Sequence, residues 1–169
     1  MVRDILTYPH PLLRTPTKKV QVIDREIEEL VRDMFETMYQ ADGVGLAANQ
    51  IGVSLSVMVM DTTPKKEAPP VKLVLINPEV VSQEGSISYK EGCLSFPGLT
   101  VEVERFNKLQ VRALNLRGEE VHYTLEGFPA VVFQHEMDHL MGITFVDRVK
   151  GLKRRMALER YSKLQKQRV

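Results

Sequence analysis

His135-Glu136-Met137-Asp138-His139 is the part of this sequence whose residue types and spacing most clearly carry chemistry. On an α-helix, positions i and i+4 lie one turn apart on the same face, so both imidazoles can reach one metal ion. Glu136 is turned about 100° from His135, which puts its carboxylate beside the metal rather than on it. From there it can take a proton from metal-bound water and hand it to a leaving amine. The neighbours Val131, Val132, Phe133 and Leu140 predict a buried helix. Two unliganded histidines and a carboxylate in such a place would be costly to desolvate.

Three protein ligands and one water are the usual catalytic arrangement, so a third ligand is needed. Two residues offer one. Glu159 follows His139 by 20 residues, a spacing used by thermolysin-like metallopeptidases. Cys93 lies upstream in Glu91-Gly92-Cys93-Leu94-Ser95. A lone cysteine is ordinarily a small core hydrophobe. Here Gly92 allows close backbone approach, and Pro97-Gly98 predicts a turn just beyond. Glu159 sits among Arg154, Arg155 and Arg160, where a surface ion pair explains it better. Cys93 is the expected ligand. A metallopeptidase using Glu159 is the alternative, and a binding module with a structural His-Glu-x-x-His is a third reading.

The elements that must position these groups follow from patterning. Asp24 predicts the cap of a helix to about Ala41, with Ile27, Leu30, Val31, Met34, Phe35 and Met38 on one face. Gly43 to Gly52, with three glycines, breaks it. Strands are expected at 55–60 and 72–76, around a polar loop at 62–70, and then near 80–88, 101–105, 108–116 and 119–125. Asn115 to Glu119 reads as a hairpin turn. Pro129 and Gly142 bracket a central helix over 129–141, and a last helix covers about 151–166. Pro9, Pro11 and Pro16 make the first stretch extended. Without βαβ alternation the fold class is α+β: mixed or antiparallel strands around the central helix that carries His-Glu-x-x-His, with a C-terminal helix.

At 169 residues the chain suits one domain, 1–169. No apolar run approaches a membrane span of roughly 18 residues, and the N-terminus lacks the apolar core of a secretory signal. The single cysteine excludes an internal disulfide and suits the cytoplasm. The net charge of +1 hides an asymmetry. Residues 1–147 carry 14 Lys+Arg against 21 Asp+Glu, a net of −7, whereas 148–169 carry 9 against one, a net of +8. A basic C-terminal helix on an acidic body points to an anionic partner. No DNA or membrane partner is expected.

Three motifs in order make the chain resemble the peptide deformylases: Gly43-Val44-Gly45-Leu46-Ala47-Ala48-Asn49-Gln50, then Glu91 to Ser95, then Gln134 to Gly142. The opening Thr7-Tyr8-Pro9-His10-Pro11-Leu12-Leu13-Arg14 resembles the family's start as well, so the likeness spans essentially the whole chain. It implies a hydrolase that removes the N-formyl group from N-formylmethionine of new polypeptides and releases formate, with metal-bound hydroxide as nucleophile. Cys93, His135 and His139 would hold one divalent ion, Fe²⁺ in the family, with Zn²⁺, Ni²⁺ or Co²⁺ as substitutes. Glu136 would be the general acid/base, with the Gln50 amide and the Leu94 N–H as oxyanion donors. Gly45 and Gly92 would bind the peptide backbone, Val44, Phe128, Val131 and Val132 would line the methionine pocket, and Arg105 would pair with Glu91 at its edge. Thr100 stands where some relatives carry an arginine, a departure at the pocket rim. The resemblance also implies docking of the C-terminal helix on the ribosome near the nascent-chain exit.

Overall fold

The computed structural model describes residues 1–63 and 72–167. Helix α1 (Arg25–Gln40) starts where Asp24 accepts a 3.2 Å hydrogen bond from the Ile27 N–H, satisfying one of the unpaired donors of the first turn. Its apolar stripe, including the fully buried Met34 and Met38, packs on Leu46, Val57, Val59 and Ile76. Truncating either methionine to alanine would cost about 2–5 kcal/mol.

Seven strands follow: β1 (Gly45–Ala47), β2 (Val57–Asp61), β3 (Lys72–Glu84), β4 (Ile87–Cys93), β5 (Phe96–Arg105), β6 (Lys108–Leu114) and β7 (Glu120–Glu126). Five form one sheet in the order β1-β2-β3-β6-β7, and β4 and β5 form a second. Every named pairing is antiparallel, and a single isolated parallel bridge joins Lys18 to Leu55. Helix α2 (Phe128–Leu140) presses Ala130, Val132, Phe133 and Leu140 onto the five-stranded sheet. Helix α3 (Gly151–Gln167) closes the chain against β5, burying Ala157 and Tyr161 with Phe96, Val101 and Phe145. The architecture is α+β, as expected.

Several boundaries differ from the patterning. The strands expected at 72–76 and 80–88 are one long strand, β3, because irregular register with β6 bends it instead of ending it. Gly85, at φ 73°, then turns the chain into β4. The segment read as a helix breaker also holds β1, whose Leu46 pairs with Val59. The turn expected at Pro97-Gly98 lies at Leu94-Ser95, where Cys93 pairs across to Phe96. The hairpin turn at Asn115–Glu119 is present, closed by the Asn115 N–H to Glu119 O bond of 3.0 Å. Leu152 and Met156 of the last helix are exposed. The polar loop expected at 62–70 lies mostly outside the described residues. Among the described residues, no helix is long and apolar enough to cross a membrane.

Candidate metal centre

Helix α2 is held at both ends. Pro129 stands in its first turn, and Gly142 follows its last residues at φ 76°. A Cβ at Gly142 would come within 2.9 Å of the backbone of Thr15 and Pro16, so only glycine lets the N-terminal segment cross the helix end. Asn49 adds a second clamp there, its side-chain amide donating to the His139 carbonyl at 2.6 Å. Burial is nearly complete along α2, covering His135, Glu136, Asp138 and His139.

Cys93 ends β4 at the tight turn into β5, which aims it at this helix. Its Sγ lies 3.3 Å from His139 Nε2. The ligand atoms of Cys93, His135 and His139 all lie within 4.8 Å of one another, and they are the group of metal-binding type found among the described residues. Four-coordinate bonds of about 2.0–2.3 Å hold donors roughly 3.3–3.8 Å apart, so one ion fits with little movement. Glu159 is exposed on α3 and is not in this group, which removes the geometry the metallopeptidase alternative requires.

The polar surroundings fit ligand duty. His135 Nδ1 donates to Glu91 Oε1 at 2.8 Å, leaving its other ring nitrogen for a metal. Arg105 grips Glu91 with two N–H groups, Nε at 2.8 Å and Nη2 at 2.9 Å. Its Nη1 reaches Asp138 at 2.6 Å. Arg148 then holds both Asp138 oxygens, at 3.0 and 2.5 Å. Burial opposes ionisation of Glu91, but the Arg105 fork and His135 outweigh it and keep the carboxyl below its usual range. Burial also pulls on His135, yet the Cys93 sulfur and Glu91 hold it well above an ordinary imidazole. His139, desolvated and next to His135, lies well below one.

Glu136 is buried, its Oε1 has no partner among the described residues, and burial pushes its carboxyl up to about 7. Gly45 makes the room for it: a Cβ there would meet Glu136 Oε2 at 2.6 Å. Gln50 accepts the Ala47 N–H on Oε1 at 2.9 Å, which turns Nε2 towards Ser95 Oγ at 3.0 Å and Cys93 Sγ at 4.0 Å. Gly45, Gln50, Glu91, Cys93, His135 and Glu136 border a cavity of about 580 Å³. Its lining also includes Val44, Gly92, Leu94, Phe128, Val131 and Val132, with Thr100 and Lys90 at one side. Edge strands β1 and β4 both contribute to the wall.

Of the expected site residues, His139 faces Cys93 without lining the cavity, and Arg105 pairs with Glu91 as expected. Arg105 does not line this cavity but stands behind Glu91, buried among carboxylates, because three of its five N–H groups are taken by Glu91 and Asp138. Ser95, Asn49, Asp138 and Arg148 were not foreseen. The first three stand inside the recognised motifs, a signal that was available; Arg148 carries none.

A profile of the family described as Polypeptide deformylase matches residues 2–155. A peptide deformylase of Aquifex aeolicus (strain VF5) is 71% identical over 168 residues, covering 99% of each chain. One of Acidobacterium capsulatum is 46% identical, covering 98% of this chain and 97% of its own. The crystal structure of a peptide deformylase from Legionella pneumophila superposes with a TM-score of 0.91 at 43% identity, covering 99% and 98% of the two chains. Likeness this complete reaches every strand that walls the cavity as well as the helix behind it, and it follows that this chain belongs to the polypeptide deformylase family and is an enzyme of that kind.

Proposed function

We propose that the chain hydrolyses the formyl amide of N-formylmethionyl nascent peptides, with Cys93, His135 and His139 holding one divalent ion and Glu136 carrying the proton. The observation that bears most weight is the buried Glu136 Oε1, without a partner among the described residues, beside three convergent ligand atoms and an open cavity. A divalent ion bound there supplies Lewis acidity and makes a water nucleophilic near neutral pH. Glu136 takes a proton from that water as its oxygen adds to the formyl carbon, and delivers a proton to the amine nitrogen as the C–N bond breaks. Negative charge on the formyl oxygen falls to the Gln50 amide, which the Ala47 N–H keeps in orientation, and to the Leu94 N–H in the turn beyond Cys93. Each such donor is worth roughly 3–4 kcal/mol in other hydrolases. Gly45 and Gly92 offer main-chain groups on facing edges to an extended peptide. Val44, Phe128, Val131 and Val132 enclose its first side chain.

Fe²⁺ is the resident ion in this reading. One thiolate and two imidazoles suit zinc equally, so the choice of iron rests on the family resemblance. The residues form one catalytic domain, 1–169, acting in the cytoplasm, and the basic stretch 148–169 docks on ribosomal RNA. Elemental analysis of anaerobically purified protein, combined with formate release from a short formyl-Met peptide, tests the core of this. One metal equivalent and stoichiometric formate are expected. A metal-loaded protein that releases no formate would overturn the reading.

A further inference from the structure

We propose that Arg148 is a positioning residue for the ligand His135, acting through Asp138, Arg105 and Glu91. The inference rests on the reading that Cys93, His135 and His139 hold a metal ion. Four side chains form a line from the surface to His135: Arg148 grips both Asp138 oxygens, Asp138 takes one N–H of Arg105, Arg105 forks onto Glu91, and Glu91 accepts from His135 Nδ1. Asp138, Arg105 and Glu91 have side chains only 3–4% exposed, whereas Arg148 is 42% exposed and closes the outer end. The line carries two cations and two anions, so it is balanced only when Arg148 is in place. Without it, one buried guanidinium must serve two carboxylates that pull on different edges of it. Asp138 then draws Arg105 off Glu91, and Glu91 loses the fork that fixes the His135 ring.

The backbone makes the reach possible. Arg148 ends a 3-10 turn (Phe145–Arg148) whose Phe145 and Val146 are buried with Phe96 and Tyr161, so the turn is anchored independently of the ion pairs. Groups that orient a metal-binding histidine directly are worth about 10–100-fold in metal affinity. A residue that acts two contacts further out should be worth less.

The test is Zn²⁺ affinity by chelator competition for wild type, R148A, D138N and the double variant, alongside melting of the metal-free proteins. R148A is expected to bind Zn²⁺ about 3–10-fold more weakly. In the double variant the loss should not exceed that of D138N alone, because Asp138 is the hydrogen-bonded link from Arg148 towards the ligand among the described residues. The visible bands of the Co²⁺ form should shift in R148A, reporting a changed ligand field. A merely structural role would lower the metal-free melting temperature and leave affinity and bands alone. Zn²⁺ affinity within twofold of wild type for R148A, or losses that simply add, would overturn the inference. R148Q removes the charge but keeps most of the side chain, so it serves if R148A does not fold, and the same twofold limit applies. Failure of the wild type itself to bind zinc would instead sink the ligand assignment.

Discussion

Gly45→Ala adds one methyl group at the most crowded point of the site. The new Cβ would stand 2.6 Å from Glu136 Oε2, 2.9 Å from Val132 Cγ1 and 3.0 Å from Glu136 Cγ, where ordinary contact begins at 3.4 Å. Relief requires the carboxylate to retreat by about 0.8 Å, the difference between those two distances. Val132 is buried and cannot yield the space instead. Overpacking of this kind costs about 1–3 kcal/mol, and a misplacement of about 1 Å at a reacting group costs on the order of 100-fold in rate. The alanine variant should therefore lose about 100-fold in kcat for formate release from a formyl-Met peptide. Its melting temperature should fall by roughly 3–10 °C. The ligands are untouched, so metal content should stay at the wild-type value. Alanine keeps the N–H and C=O of glycine, which leaves main-chain contacts to a peptide in place. A variant with kcat within threefold of wild type would refute the reasoning, and so would a loss confined to KM.

Glu136→Gln should retain one metal equivalent but lose 10²–10⁴-fold in turnover, the usual worth of a general acid/base; residual activity above about a tenth in a formate assay would contradict the role. Cys93→Ser should weaken metal binding or shift preference towards harder ions, because the thiolate is the soft member of the set, and an unchanged affinity in chelator competition would exclude Cys93 as a ligand. Peroxide should inactivate the Fe²⁺ form, by oxidising the ion or Cys93, within the time course of an activity assay. Replacing the exposed Lys150, Arg155 and Lys163 with glutamate should leave cleavage of a short peptide intact. The same change should weaken ribosome co-sedimentation, which for wild type should itself fall as salt rises; equal binding at low salt would leave the tail a solvated helix.

What the sequence showed best was chemistry at fixed local spacing. His135, Glu136 and His139 are legible because one helix sets their geometry, and Asp24 announces the start of α1 because capping is a local event. Cys93 was harder, since a lone cysteine acquires meaning only when a turn brings it to α2. The turn itself was misplaced: Pro97-Gly98 is the stronger turn signal, yet the chain reverses at Leu94-Ser95, where β4 and β5 are drawn together by their pairing. Strand β1 was missed because Gly-Leu-Ala has no β-branched residue, and its pairing with β2 comes from tertiary contact. Arg148 was illegible for a different reason. Its partner lies ten residues earlier, and only the turn after α2 folds it back.

Strands β1 and β4 are each the unpaired end of their own sheet, and both border the cavity. An enzyme that meets every newly made chain faces a problem of breadth, because the residues after the first vary without limit. Main-chain groups are the same in all of them. On the proposed reading, a peptide laid between two strand edges would be read as polypeptide in general, while only the side chain entering the pocket behind Val44 and Val131 would be inspected. Tolerance of the proteome's variety would then be built into the fold itself, through two edges left open where most proteins keep theirs covered.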